Sequence, residues 1–133
     1  MQKHSKGFTL MELMVVIVIV AILAAVAVPL YVNYVKDAQR TEAKAAIGAV
    51  ITAEQTWYQV NGTYAVDTFA ADAAGQKLNC DLTDALKNWD ISVTTANALG
   101  FTVVAIGKPT GPTKDRKVTL NYTRSGQPDW QEL

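Results

Sequence analysis

From Leu13 to Val35 the chain carries no charged side chain, and from Leu13 to Val28 it carries no polar one. As a helix rising ~1.5 Å per residue, those 23 residues span roughly 34 Å, enough to cross the hydrocarbon core of a bilayer. A single acid, Glu12, stands at the very start of this apolar run. An unpaired carboxylate at that depth is costly, so an intramembrane acid reads as functional and paired with a cation.

The residues before Glu12 suggest the partner. Lys3, His4 and Lys6 give a short basic leader, which keeps the N-terminus cytoplasmic and sends the rest across the membrane. A secretory signal peptide places its small-residue cleavage site after the apolar run, and Ala24-Ala25-Val26-Ala27 is a weak candidate of that kind. The run continues past it into Val28-Pro29-Leu30-Tyr31-Val32 without a break in composition. Gly7 is the other small residue, and it precedes the apolar segment. Cleavage after Gly7 leaves the apolar helix on the mature chain and creates a new amine at Phe8. That amine is a natural partner for Glu12, and between neighbouring copies the pair would fix axial register.

Lys6-Gly7-Phe8-Thr9-Leu10-Met11-Glu12-Leu13, with the apolar stem and Pro29 behind it, resembles the type IV pilin and pseudopilin superfamily with its class III signal sequence. The resemblance implies that a prepilin peptidase cuts between Gly7 and Phe8 and N-methylates Phe8. It also implies that Glu12 meets the Phe8 amine of an adjacent subunit, and that an inner-membrane platform assembles a homopolymer through the N-terminal helix. The protein is then expected in the bacterial inner membrane before assembly, and afterwards in a surface pilus or a periplasm-spanning pseudopilus. Three segments follow: a leader over 1–7, an assembly helix over 8–35, and a head over 36–133 that includes the second half of the helix.

Removal of the leader leaves ten basic against twelve acidic residues, and nothing in this composition predicts nucleic-acid binding by a single subunit. Cys80 is the lone cysteine and cannot form an internal disulfide. Many type IV pilins close a C-terminal loop with a disulfide, and this chain departs from that pattern. Cys80 is expected to act as a small apolar residue.

The helix is expected to continue beyond the membrane. Residues 37–44 are rich in helix formers, and Ala43, Ile47, Val50, Ile51, Trp57 and Tyr58 recur at spacings compatible with one helical face. Asn61-Gly62 supplies the stop. A helix from about Phe8 to Val60 is ~80 Å long. Pro29 is expected to kink it, and Gly48 reads as a close-packing site. Residues 62–88 read as a connection with a short helix over 83–87. Three strand-like runs follow at 90–95, 101–106 and 117–123, and 107–114 forms a Pro/Gly-rich loop. The fold class is α+β: a long N-terminal helix packed on a small three- to four-stranded antiparallel sheet, the pilin ladle.

Catalysis finds no support. His4 lies in the leader, no Cys–His pair remains, and Asp81, Asp84, Asp115 and Asp129 read as solvated charge. No cofactor or metal is predicted. Asp115 and Asp129 are the candidate ligands for a calcium site by resemblance to some major pseudopilins, without a dense run of oxygen ligands. Asn61-Gly62-Thr63 and Asn121-Tyr122-Thr123 fit a glycosylation acceptor pattern, the first being better explained as a helix cap. Phe8, Tyr31, Tyr34, Trp57, Tyr58 and Tyr64 form a row of the kind proposed to carry electrons in some fibres. Membrane-interface and core roles explain it as well. The reading is a non-enzymatic type IV pilus subunit for motility, adhesion or DNA uptake. The alternatives are a major pseudopilin of type II secretion, a minor pilin, and a monomeric membrane-anchored binding domain, which predicts no cleavage at Gly7.

Overall fold

The computed structural model describes residues 7–70 and 76–133. The basic residues of the leader and most of the small-residue run after Ala70 lie outside these. The chain divides into two compact units, Met1–Asp37 and Ala38–Leu133. Its elements are α1 (Leu10–Asn61), β1 (Asp67–Phe69), a 3-10 turn (Ala85–Lys87), β2 (Trp89–Ala96), β3 (Gly100–Gly107), β4 (Lys117–Thr123) and β5 (Asp129–Glu132).

In the first unit, every described residue through Tyr34 is exposed. A charge-free apolar helix with nothing packed on it calls for lipid or protein cover, and its composition and length suit a membrane span. The helical assignment runs through Pro29 without interruption. Proline removes only its own N–H, so the expected weak point is one missing hydrogen bond, to the carbonyl of Ala25, inside a continuous element.

In the second unit, the face of α1 bearing Ala43, Ile47 and Val50 packs into one hydrophobic core with the sheet. Ile51, Trp57 and Tyr58 lie at its margin. α1 stops where a left-handed residue becomes available: Gly62 has φ 71°, and its N–H donates to the Tyr58 carbonyl at 2.8 Å. Asn61 Nδ2 donates to the Trp57 carbonyl at 3.0 Å. The acceptor pattern at Asn61 is thus a helix cap.

The sheet has five antiparallel strands in sequence order, where three to four were expected. Alternation puts Ile91, Val93, Val103, Ala105, Val118 and Leu120 on the core face. β1 and β5 carry little pattern of their own. β1 has three residues and exists because Asp67 to Phe69 pair with Val93 to Ile91. β5 pairs Trp130 with Leu120 and Glu132 with Val118, and Glu132 then reaches α1 to form ion pairs with Lys44 and, at 3.7 Å, Arg40. Lys44 also sits 5.8 Å from the centre of the Trp130 ring. Gly48 is no close-packing site within the chain: an added Cβ there meets no described atom within 4 Å.

Candidate functional site at the start of the apolar helix

Thr9 and Glu12 build the end of α1 between them. The Thr9 backbone N–H and its hydroxyl both donate to Glu12 Oε2 at 2.8 Å, and Thr9 Oγ1 accepts the Glu12 N–H at 3.2 Å. This is a capping box, in which residues three apart satisfy each other's orphan donors. The sequence Thr9-Leu10-Met11-Glu12 carries its signature, yet family resemblance and membrane depth direct attention to Glu12 alone. The carboxylate also lies at the positive end of the helix dipole. Both Thr9 bonds fall on Oε2, so Oε1 accepts no hydrogen bond from the described residues. Phe8 immediately precedes the cap and is 85% exposed, and Gly7 before it is exposed too. A peptide bond there is accessible from outside the chain, and the helix has one open carboxylate oxygen beside it.

A second acid escaped notice in the sequence. Glu54 is fully buried on the core face of α1, at helical spacing from Ile47 and Val50. Its Oε2 accepts the Ala65 N–H at 2.9 Å, which ties the chain back against α1 after Gly62, while Oε1 is buried without a partner. Burial raises its pKa above the ordinary carboxylate value; the Ala65 N–H opposes that rise and the charge of Asp67 adds to it. Asp67 Oδ2 in turn accepts the N–H groups of Lys77 and Leu78 at 2.8 and 2.9 Å.

The remaining candidates disperse. Asp115 precedes β4 and Asp129 pairs with Asn121 toward the other end of that strand, so the two calcium candidates are not brought together. No group of three metal-binding side chains occurs among the described residues. Cys80 is half-buried, and burial first, then Asp67, pushes its thiol up to about 11, out of nucleophilic range at neutral pH. Tyr58 and Tyr64 join Phe101 and Tyr122 in an aromatic cluster with ring centres 4.6 to 6.0 Å apart. Tyr31 and Tyr34 are exposed on the apolar helix.

An exposed apolar helix with a capped acid at its tip, followed by a helix-backed antiparallel sheet, defines a membrane-anchored, filament-type subunit. The family described as "Prokaryotic N-terminal methylation motif" matches residues 2–28. The family described as "Type IV minor pilin ComP, DNA uptake sequence receptor" matches residues 29–117. The "Type IV major fimbrial protein FimA" of Dichelobacter nodosus is 30% identical over 125 residues, 94% of this chain and 76% of that one. The "Fimbrial protein EcpC" of Eikenella corrodens is 36% identical over 69 residues, 52% of this chain and 45% of that one. No solved structure gives a significant match. The chain belongs to the type IV pilin family and is a pilin subunit of the pilus.

Proposed function

We propose that this pilin is a structural, non-enzymatic subunit, processed between Gly7 and Phe8 by a prepilin peptidase and N-methylated at Phe8. It is held in the bacterial inner membrane until an assembly platform draws it into a surface homopolymer. The observation that carries this reading is the geometry at Glu12. Thr9 satisfies one carboxylate oxygen within the subunit, and the other is left for the Phe8 amine of a neighbour. The capping box lets the acid wait in the membrane partly satisfied. The neighbour's amine then adds an opposite charge in a low-dielectric setting, where misregister is most expensive. Mass spectrometry of a sheared fibre fraction tests this. An abundant peptide beginning at methylated Phe8 is expected in the fibres. The same peptide confined to the inner membrane would favour a pseudopilin, and a peptide still carrying Gly7 overturns the processing step.

A second reading, capture of DNA, is favoured by the description of the family matching residues 29–117 together with the loop between β3 and β4. Residues 107–117 hold Lys108, Lys114, Arg116 and Lys117 against one acid, Asp115. Lys114 and Lys117 are exposed, and Arg116 Nη1 is buried without a partner. This local excess of positive charge departs from the balanced charge of the whole chain, on which no nucleic-acid binding was predicted. Duplex DNA binding by purified fibres that weakens with salt, and several-fold further in Lys114→Ala/Lys117→Ala, is the expected result; equal binding by both fibres overturns it.

A further inference from the structure

The half of α1 in the second unit has a face that neither the core nor any described residue covers. Ala45, Ala49, Thr52, Ala53, Thr56 and Val60 follow one another at helical spacing along it. Two depressions, of about 680 and 310 Å3, meet at Ala49 and make this face the floor of one groove. Its wall is the segment from Lys77 to Ala85. Gly48 lies on the same stretch of helix, with open space where a side chain would stand. The charged lining residues are Lys77 over the larger depression and Glu42, Asp81 and Asp84 over the smaller. The floor itself is uncharged.

We infer that this groove receives the apolar helix of a second copy of the chain. The inference rests on the filament reading above and names where one stem goes. A run from residue 45 to residue 60 extends ~22 Å along a helix, so the occupant must be elongated, apolar and about four turns long. The chain itself presents such an object: its first unit is uncharged from Leu13 to Val35 and exposed through Tyr34. Size also matches. The floor is built from Ala, Thr and Gly, and the stem carries Ala21, Ala24, Ala25 and Ala27. Small residues on both helices let the backbones approach closely, which is how apolar helices gain packing energy where lipid and protein are equally greasy. Cohesion then has two parts, stem against stem and stem against head.

The test uses the full chain in cells that assemble fibres, with a photo-crosslinking side chain at Thr52. The expected product is a dimer whose joined peptide lies within residues 10–35 of the second copy. A product joined only to head peptides or to another molecule, or no product from intact fibres, overturns the inference. Thr52 is exposed, so Thr52→Trp fills the groove without entering the core. It is expected to keep the thermal midpoint of the detergent-solubilised subunit and to lower fibre yield at least fivefold. Unchanged yield overturns the groove while leaving the pilin intact. Failure of the unsubstituted chain to form fibres overturns the filament reading itself, and this inference with it.

Discussion

Thr9 and Glu12 close the N-terminus of α1 on each other, with two bonds of 2.8 Å converging on one carboxylate oxygen and a third of 3.2 Å returning. The acid most needed for register is therefore also the acid that starts the helix. The two roles separate by mutation. Glu12→Ala loses both and is expected to insert in the membrane normally while fibre incorporation falls by at least tenfold. Thr9→Val keeps the carboxylate but loses the cap hydroxyl, at a cost of about 1 kcal/mol to the first turn. It is expected to lower incorporation less than Glu12→Ala does. The ratio of subunit in sheared fibres to subunit in the membrane checks both, and normal fibre yield from Glu12→Ala would sink the register mechanism.

Glu54 makes stability depend on pH in the direction opposite to most carboxylates. Its folded-state pKa is raised by burial, so the folded chain binds its proton more tightly than the unfolded one. Its contribution is present in full below the ordinary carboxylate value and is lost as pH rises through the raised one. Glu54→Gln removes the titration. It is expected to match the parent near pH 4 and to exceed it at neutral pH by up to about 2 kcal/mol, the scale of an unsatisfied buried polar group. Thermal unfolding of the solubilised chain across pH measures this, and parallel pH profiles for the two proteins would count against it.

Glu132 runs the other way. The hydrogen bond and charge of Lys44, with Arg40 adding to them, hold its carboxyl below the ordinary value. Its contribution is present above the unfolded pKa and is lost as pH falls through the lowered one. The pair is partly exposed, so Glu132→Gln is expected to cost less than about 1 kcal/mol overall. Its effect should be local, because β5 is short and lies at the edge of the sheet. Lys117 and Leu133 exchange backbone bonds of 3.1 and 2.9 Å, and hydrogen exchange at those two amides should accelerate while the central strand β3 stays protected.

Two glycine substitutions are expected to act with opposite signs. Gly107→Ala would place a Cβ 1.8 Å from the Thr113 carbonyl oxygen, with backbone on both sides, and should destabilise by about 2 kcal/mol or more. Gly48→Ala meets no described atom and removes the entropy cost of glycine inside a helix, so the isolated subunit should gain about 0.8 kcal/mol. Chemical unfolding of the two variants beside the parent decides it; a Gly48→Ala chain less stable than the parent would contradict the open space.

Much of the fold was legible because local signals were long. The helix stop at Asn61-Gly62 needed only a residue tolerant of positive φ. The middle three strands showed alternation over six to eight residues, and their observed limits differ from those expected by at most one residue at each end. β1 and β5 were missed because strands of three and four residues hold too few side chains to show a period. They are defined by the strands they pair with. Asp115 and Asp129 were candidates only as acids in loops, and the register of β4 keeps them apart.

From sequence alone come the apolar span, the single acid at its tip, the small residues before and along it, and a helix with one face suited to a sheet. Each is a property of consecutive or periodically spaced residues, so covalent order suffices to establish it. Only the tertiary structure decided that Glu54 lies unpaired on one side within the core, that Glu132 comes back to Lys44, and that Ala49 joins two depressions into a groove. Those facts depend on which distant segments share a neighbourhood, and burial energy summed over the whole head sets that, with no local pattern to announce it.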